Sequence, residues 1–424
     1  MTLSAGQSTG EIPEATSVLR ALSEVARFGA LMLRAGDTAF RARDWMGTLA
    51  RRLGLDQLSA QLSLGSVIAT ARRGEEWATT VGEVGAPAVN ASRIGALEAL
   101  ARDARLGETP GDLASRLSAI EGTPPLYSLA QTAAGIGLGC GAFAFLNGGG
   151  ALEVATATLA GGAGQGLRTA LLRRKLNQYA VASLCAVAAA GAYCLMSAVA
   201  LRAGVGHAHH AAGIVSSALF LVPGFPLVAA LLDLMQHQAQ AALTRLAYGV
   251  MLLLASAFGL CIVSAIVGLD VTRPPPLELT APLMLVLRAL ASFVGACAFA
   301  ILYNSARRTV LSVGLLAVVG NELRLGLQDA GLIQASATFL GAFSVGLLAS
   351  LVRHRLSEPR IALTVPGIIM MVPGYASFQA IVLFTRGDMI PALQALVQVA
   401  FVVGAMAMGL ATARFVTLRE WRSE

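Results

Sequence analysis

The sequence predicts an all-α polytopic membrane domain of about ten transmembrane helices, built as a 5+5 inverted repeat with broken helices, after a small α+β cytoplasmic domain. Hydrophobic residues make up 56% of the 424 residues and charged residues only 13%, which is typical of proteins with many membrane spans. Charged residues concentrate in the first part of the chain, where no long apolar run occurs. The apolar remainder contains two similar halves, and each half has a Val-Pro-Gly motif inside an apolar stretch.

Residues 1–122 are predicted to form the cytoplasmic α+β domain. Apolar residues recur at helical spacing in four segments, 17–36, 37–55, 91–104 and 111–122. Asp37 or Thr38 suits the N-cap of the second helix, because a short polar side chain accepts hydrogen bonds from first-turn N–H groups. The segments 58–71 and 75–84 flank an Arg-Arg-Gly turn, and they predict a hairpin of two strands.

Residues 126–268 and 282–416 are predicted to form two membrane repeats of five helices each. The ten predicted spans are 126–147, 151–171, 178–201, 211–235, 241–268, 282–304, 307–327, 331–353, 360–385 and 389–416. If the N-terminal domain lies inside, twelve basic residues fall in the inside connections and four in the outside ones. The positive-inside rule therefore predicts a multi-pass protein with a cytoplasmic N-terminal domain.

The two halves align when the sequence is shifted against itself. Residues 222–260 match 372–410 without a gap, at an offset of 150, and an offset of 156 applies upstream. Matched residues include Pro223 with Pro373, Gly224 with Gly374, Gly164 with Gly320 and Arg168 with Arg324. Because five spans is an odd number, the second copy must enter the membrane from the opposite side. Such inverted repeats are common in secondary transporters.

Helix breakers interrupt the fourth and ninth predicted spans. They are Pro223, Gly224, Pro226, Pro366, Gly367, Pro373 and Gly374. Proline removes a backbone hydrogen bond and clashes with the preceding turn. Lipid cannot satisfy the carbonyl groups that are released, so such breaks occur inside a bundle or beside a water-filled cavity. The matched breaks predict a central substrate site, with packing kinks that touch no ligand as the alternative.

Polar side chains inside the predicted spans are candidates for substrate binding or coupling. Asp233 could carry a proton or bind an ammonium group, or it could be a surface acid or a partner of Arg245. Glu153 could couple transport to protons, or it could serve as a favourable acid at a helix N-terminus. Gln165 and Asn321 could bind substrate or hydrogen-bond neighbouring helices.

Two arginines occupy equivalent positions in the halves. A guanidinium group recognises a carboxylate through paired donors, so Arg168 and Arg324 are candidate substrate ligands. Arg168 could instead be a positive anchor on the inside. Arg324 could instead pair with Glu322 or Asp329.

Motifs for enzyme, metal or nucleic-acid chemistry are weak. The Gly-rich stretch 161–166 lacks the Lys-Ser/Thr pair of a phosphate loop, so we expect no cofactor. The stretch 207–210, His-Ala-His-His, lacks supporting ligands, and we expect no metal site. No GxSxG or HExxH motif points to an enzyme, and no basic stripe with interleaved aromatic residues points to nucleic acid. A membrane-anchored regulatory or scaffold protein is the alternative from another class.

The chain resembles the bacterial threonine/serine exporter family, in the form that has both halves in one chain. The resemblance is carried by "FGALMLRAGDTAFRARDWMGTLARRLGL" (28–55), "LVPGFPLVAALLDLM" (221–235) and "VPGIIMMVPGYASFQAIVLFTRGD" (365–388). Two positions depart from the family pattern: Ala39 stands where Thr or Ser is expected, and 229–232 are apolar where Asn and Arg are often found.

The resemblance implies an antiporter in the bacterial inner (plasma) membrane that exports threonine or serine. It further implies that the proton gradient drives export, by alternating access around the broken helices. Split relatives have been linked to dicarboxylate export, which would favour Arg168 and Arg324 over Asp233 as substrate ligands. The resemblance also implies the partners of this protein: the small-molecule substrate, protons and the lipid bilayer. A homo-oligomer is a further possibility.

The inverted repeat predicts the side on which each connection lies. In a cysteine-free background, Pro275→Cys should react with a membrane-impermeant maleimide added outside, and Lys175→Cys should not. Labelling at 175 with protection at 275 would contradict the inverted arrangement.

Overall fold

The computed structural model describes residues 15–205, 211–268 and 277–418, and the chain divides into two compact units. The smaller unit contains Met1–Ala88 and Ala96–Thr123, and the larger contains Val89–Gly95 and Pro124–Glu424. The described residues are mostly helical, with one three-stranded sheet in the smaller unit. The predictions of a mainly helical chain and of a small α+β part are therefore confirmed.

The first seven elements form the smaller unit and the start of the larger one. They are α1 (Ala15–Arg34), α2 (Ala39–Arg52), β1 (Gln57–Leu62), β2 (Ser66–Arg73), β3 (Glu76–Glu83), α3 (Ala91–Asp103) and α4 (Pro110–Gly122). The sheet is antiparallel in the order β1-β2-β3. Val67, Ala69 and Ala71 of β2 are buried, and α1 packs on β2 and β3. Alternate residues of a strand face opposite sides, so this face forms the core with α1.

The sheet has one strand more than the predicted hairpin. The segment 58–71 was predicted to be one strand. In the structure a turn divides it into β1 and β2. In this turn the Ser63 N–H donates to the Ser66 carbonyl (2.9 Å), and the Ser63 hydroxyl accepts from the Ser66 N–H (3.0 Å). A Ser-Leu-Gly sequence favours such a turn. Of the two proposed N-caps, Thr38 holds the position, although its side chain makes no cap hydrogen bond.

A charged network ties the start of α2 to α3 in the smaller unit. Arg41 pairs with Glu98 and with Asp37, whose side chain is fully buried. Burial lowers the pKa of Arg41, but attraction to these two carboxylates outweighs it and raises that pKa above its ordinary value. Glu98 also pairs with Arg102, which is half exposed. The Glu98 carboxylate is therefore contacted by a mostly buried arginine, Arg41, and by a half-exposed one, Arg102.

Among the described residues, the larger unit continues with twelve α-helices. They are α5 (Leu129–Leu146), α6 (Ala151–Arg173), α7 (Gln178–Arg202), α8 (Ala211–Ser217), α9 (Gly224–Met235), α10 (Ala239–Val267), α11 (Ala281–Leu302), α12 (Arg307–Asp329), α13 (Gln334–Leu356), α14 (Arg360–Ile368), α15 (Gly374–Arg386) and α16 (Met389–Thr417). All ten predicted span positions are occupied by helix. Two of these positions, α8–α9 and α14–α15, hold a pair of shorter helices.

The number of membrane spans is seven or eight by length and composition. Among the described residues, seven helices are long and apolar enough to cross a membrane, and the bent pair α14–α15 would make an eighth. The seven are α5, α7, α10, α11, α12, α13 and α16. The remaining positions are α6, which is rich in glycine and threonine, and α8–α9, whose helices are short. The predicted count of ten stays a prediction, and the larger unit is that of a multi-pass membrane protein.

The helices of the larger unit have matching neighbours in its two halves. In the first half α6 packs against α5, α7 and α8, and in the second α12 packs against α11, α13 and α14. Likewise α10 packs against α7 and α9, and α16 packs against α13 and α15. The first helices of the halves, α5 and α11, pack against each other.

Two glycines at matched positions allow close helix packing. A Cβ on Gly164 would lie 2.8 Å from the ring of Phe220 and 3.0 Å from Ala189. A Cβ on Gly320 would lie 2.3 Å from Val345 and 3.0 Å from Met371. Small residues are the usual means by which membrane helices approach closely. In each half the glycine therefore lies against the next long helix, α7 or α13, and against the 3-10 turn of the broken span.

Arg41→Ala should destabilise the smaller unit by about 3 kcal/mol or more, because it leaves a buried carboxylate without its arginine. Arg102→Ala is the matched control, and the loss of this half-exposed partner should cost at most about 1 kcal/mol. Urea unfolding of the full chain, followed by tryptophan fluorescence, measures both effects because Trp45 and Trp77 lie in this unit. Equal losses in the two variants would contradict the role given to Arg41.

Candidate functional site

The first broken span has a defined turn at its break. After α8 the chain forms a 3-10 turn over Leu219–Leu221, and Pro223 then takes φ −80° and ψ 55°. The Gly224 N–H donates to the Val222 carbonyl across this proline at 2.8 Å. These values describe an inverse γ-turn. The chain therefore breaks at Val222–Pro223, and α9 starts directly afterwards.

The second broken span repeats this geometry at the offset of 150 residues. Its 3-10 turn is Ile369–Met371, and Pro373 takes φ −79° and ψ 66°. The Gly374 N–H donates to the Val372 carbonyl at 2.8 Å. The two arms of this span are bent by 66°. The predicted breaks at Pro223-Gly224 and Pro373-Gly374 are thus present with the same backbone conformation.

Three other predicted breakers do not break a helix, and those expectations were wrong. Pro226 lies in the first turn of α9, where the missing N–H would have no intrahelical partner. Pro366 and Gly367 lie inside α14, which continues to Ile368. Every residue of α14 is buried, and a surrounding bundle can support a proline kink without ending the helix.

The two breaks lie beside each other. A Cβ on Gly224 would lie 2.5 Å from Cδ1 of Ile369, in the 3-10 turn of the other span. At Gly374 a Cβ would lie 2.5 Å from the ring of Phe143 in α5. The glycine of each motif therefore permits a close approach that any larger residue would block, and the interrupted backbones meet inside the larger unit.

Arg168 reaches the first break. One of its Nη atoms donates to the Phe220 carbonyl of the 3-10 turn, at 3.4 Å. Such a bond satisfies a carbonyl that the broken helix has released. Gln165, one turn earlier and 4% exposed, donates to Thr169 at 3.3 Å. Its buried Oε1 atom has no hydrogen-bond partner in the part of the chain that the structure describes.

Arg324 lies in the corresponding position of the second half. It is only 6% exposed, and its Nε donates to Oδ1 of Asn321 at 2.8 Å. Asn321 donates in turn to Ser292 of α11, also at 2.8 Å. A Cβ on Gly341 would lie 3.1 Å from Arg324 Cβ and 3.3 Å from Met371, so Arg324 lies near the second 3-10 turn.

The suggested ion pairs of Arg324 were wrong. Asp329 pairs with Arg288 of α11, and no carboxylate among residues 15–205, 211–268 and 277–418 pairs with Arg324. Residues two apart on a helix do not face each other, which separates Arg324 from Glu322. A buried guanidinium group beside the second break is thus left with one amide partner.

Asp233 forms a buried ion pair, as one of the alternatives anticipated. It lies near the end of α9 with 0% exposure, and Nε of the buried Arg245 in α10 lies 3.8 Å from its Oδ2. The idea of a surface acid is therefore wrong. In the second half the equivalent residues are Leu383 and Ala395, so the pair occurs once in a duplicated frame.

Glu153 lies in the first turn of α6 and is 9% exposed. No hydrogen bond of its side chain is found among the residues that the structure describes. Tyr193 and Ser197 of α7 and Thr156 of α6 are buried as well, and the hydroxyl groups of Thr156 and Ser197 are polar neighbours of the Tyr193 phenol. These three residues were not predicted from the sequence, although a polar side chain inside an apolar span is a usable signal. The histidines of 207–210 lie outside the described residues.

The Asp233–Arg245 pair predicts a double-mutant result. Arg245→Ala alone should destabilise the protein by about 3–5 kcal/mol, because it leaves a buried carboxylate without its cation. Adding Asp233→Leu copies the pair found in the second half and should recover most of that loss. Thermal unfolding in detergent measures the cycle. A double variant no more stable than Arg245→Ala would show that the two side chains do not act as a pair.

Comparisons with known proteins identify the family of this chain. Residues 24–267 match the family described as "Putative threonine/serine exporter", and residues 288–416 match the family described as "Threonine/Serine exporter, ThrE". A Mycobacterium tuberculosis protein named "Probable threonine/serine exporter" is 36% identical over 81 residues, which are 19% of this chain and 15% of that relative. No solved structure matches the chain. Because the first match alone covers more than half of the sequence, the chain belongs to the threonine/serine exporter family.

Proposed function

We propose that this protein is a secondary transporter that exports small polar amino acids, threonine or serine, in exchange for protons. The observation that carries the proposal is the pair of backbone breaks, which are closely similar in conformation and lie beside each other. Matched breaks near the middle of two repeats are the usual position of a transporter's substrate site. The family match and the name of the M. tuberculosis relative supply the substrate class.

Alternating access follows from the matching neighbours of the two halves. A unit that repeats its own packing can adopt two arrangements in which the halves exchange roles, and rocking then exposes the central site to each side in turn. The pairs α6 with α12 and α10 with α16 have equivalent neighbours. This pattern supports an inverted repeat with five spans in each half.

The chemistry of the site suits the carboxylate of an amino acid. α9 and α15 begin at the breaks, and helix N-termini present N–H groups and a partial positive charge to an anion. Arg324 adds a buried guanidinium group that has no carboxylate partner among the described residues. We assign to Arg324 the substrate carboxylate and to Gln165 and Asn321 supporting hydrogen bonds.

The remaining expectations form part of the same proposal. We place the protein in the bacterial inner membrane, with the N-terminal unit cytoplasmic. The family match favours a transporter over an enzyme or a regulatory scaffold. Self-association stays a prediction for the oligomeric state of the purified protein.

Dicarboxylate export is the second candidate. Arg168 and Arg324 both lie near a break, so two guanidinium groups are placed where a substrate with two carboxylates could bind. Competition assays separate the two candidates, because succinate should displace labelled threonine only if the site accepts dicarboxylates.

Arg324→Gln should raise the KM for L-threonine about 10- to 100-fold, which corresponds to the loss of about 1.5–3 kcal/mol for a charged hydrogen bond. Arg288→Gln is the matched control, because Arg288 is a more exposed arginine on the neighbouring α11 and pairs with Asp329. Uptake of labelled L-threonine into proteoliposomes measures both. Unchanged kinetics in Arg324→Gln would remove Arg324 from the substrate site.

A further inference from the structure

We propose that Asn304 is a positioning residue through which the smaller unit acts on the first break. Asn304 lies in the turn between α11 and α12, and its side chain binds both of the chain segments that join the two units. The inference rests on the proposed function and deepens it, because it gives the smaller unit a route to the proposed substrate site.

The chain passes between the two units at three points, which lie after Ala88, after Gly95 and after Thr123. The larger unit therefore holds one short segment, 89–95, between two of these points, and a second segment begins at Pro124. α3 starts in the first segment and continues into the smaller unit. A movement within the smaller unit can reach the larger one along the chain only through these two segments.

The Asn304 amide binds both segments. Its Oδ1 accepts from the Leu126 N–H at 2.7 Å, and its Nδ2 donates to Asn90 Oδ1 and to Ser92 Oγ, both at 3.0 Å. The backbone N–H of Leu126 can only donate, which fixes the orientation of the Asn304 amide. Asn304 is 9% exposed, so the loss of a partner would leave a largely buried polar group without a hydrogen bond.

Backbone groups of the same turn bind the two segments as well. The Ala91 N–H, at the start of α3, donates to the Tyr303 carbonyl at 2.8 Å. The Tyr127 hydroxyl donates to the Ser305 carbonyl, also at 2.8 Å. The turn 303–305 therefore holds both segments through its backbone and through the Asn304 side chain.

Tyr303 connects this turn to the first break. Its ring lies edge to face with that of Phe225, with 5.3 Å between the ring centroids and 76° between the ring planes. Phe225 directly follows Pro223-Gly224 and is 1% exposed. Because both rings lie in a close-packed interior, a shift of the turn has to move Phe225 or break a buried aromatic contact.

The first half has the same turn without this side chain. At the offset of 156, Gly148 stands in place of Asn304, and both residues have a left-handed backbone, with φ 85° and φ 56°. In each turn the N–H of the next residue donates to the carbonyl five residues earlier, at 2.9 Å. Glycine adopts this conformation without steric cost. The turn itself therefore does not require asparagine, which favours a function for its side-chain bonds.

The first test observes the first break without any substrate. Asn304→Gly keeps the left-handed turn and removes the three side-chain bonds. In hydrogen–deuterium exchange of the full chain in detergent, the peptide 219–230 should take up deuterium about 10-fold faster in this variant, because the break loses its fixed neighbour. Exchange within α13 reports a global loss of stability and should stay at the wild-type rate.

Asn147→Gly is the matched control for this test. Asn147 lies in the corresponding turn of the first half, and its side chain donates to the Phe143 carbonyl of its own helix. This variant should leave the peptide 219–230 at the wild-type rate. Unchanged deuterium uptake at 219–230 in Asn304→Gly, or an equal acceleration in α13, overturns the proposal whatever the substrate is.

The second test measures the consequence for transport. In proteoliposomes, Asn304→Gly should lower the maximal rate of L-threonine transport about 10-fold and leave the KM within about twofold, because Asn304 acts on the break and not on the proposed substrate ligands. Asn147→Gly should transport at the wild-type rate. An unchanged maximal rate, or an effect confined to KM, overturns the positioning role. Absence of threonine transport in the wild type would overturn the proposed substrate and leave deuterium uptake to decide the role of Asn304.

Discussion

The architecture depends on the need to satisfy two interrupted backbones inside a membrane protein. A broken helix in lipid exposes carbonyl and N–H groups that lipid cannot bond. Here a 3-10 turn and an inverse γ-turn form local backbone hydrogen bonds at each break. At the first break Arg168 also donates a hydrogen bond to a carbonyl group that the broken helix leaves open. The helices around the breaks pack closely. Gly164, Gly320 and Gly224 allow this packing, because a Cβ at each position would collide with a neighbouring side chain.

The breaks could be predicted from the sequence because they depend on a local signal found twice. Proline followed by glycine recurs at a fixed offset, and chance does not readily produce that coincidence. Pro226 and Pro366 were misjudged because the effect of proline depends on its position in the helix, which the residue type alone does not give. The partners of Arg324 were misjudged for a related reason: the helical face decides which side chains meet. The extra turn at Ser63 could have been predicted, because a Ser-Leu-Gly sequence favours a turn.

The differences between the two halves are as informative as the likeness. The Asp233–Arg245 pair and the buried Glu153 occur once. Leu383, Ala395 and Thr309 stand at the equivalent positions of the other half. A group that the fold required in each copy would appear in both. The packing glycines Gly164 and Gly320 do recur, as do Arg168 and Arg324, so the halves share these residues and differ in their buried acids. No alignment within one sequence can tell which of two unique acids is paired, because pairing depends on a neighbouring helix.

The proposed alternating access needs a rigid element in contact with the first break, and α6 is such an element. Glu153 lies in the first turn of this helix, and Arg168 lies fifteen residues later, about 22 Å along the axis. Between them, Gly164 lies against Phe220 of the first break. A rigid helix transmits a small shift at one end to the other, and a packed core favours discrete arrangements over gradual deformation. Through Arg168 this helix binds a released carbonyl of the first break, and through Gly164 it packs against Phe220 of the same turn. A shift of α6 therefore has to move the first break with it, and this connection is what the proposed alternating access requires of the helix.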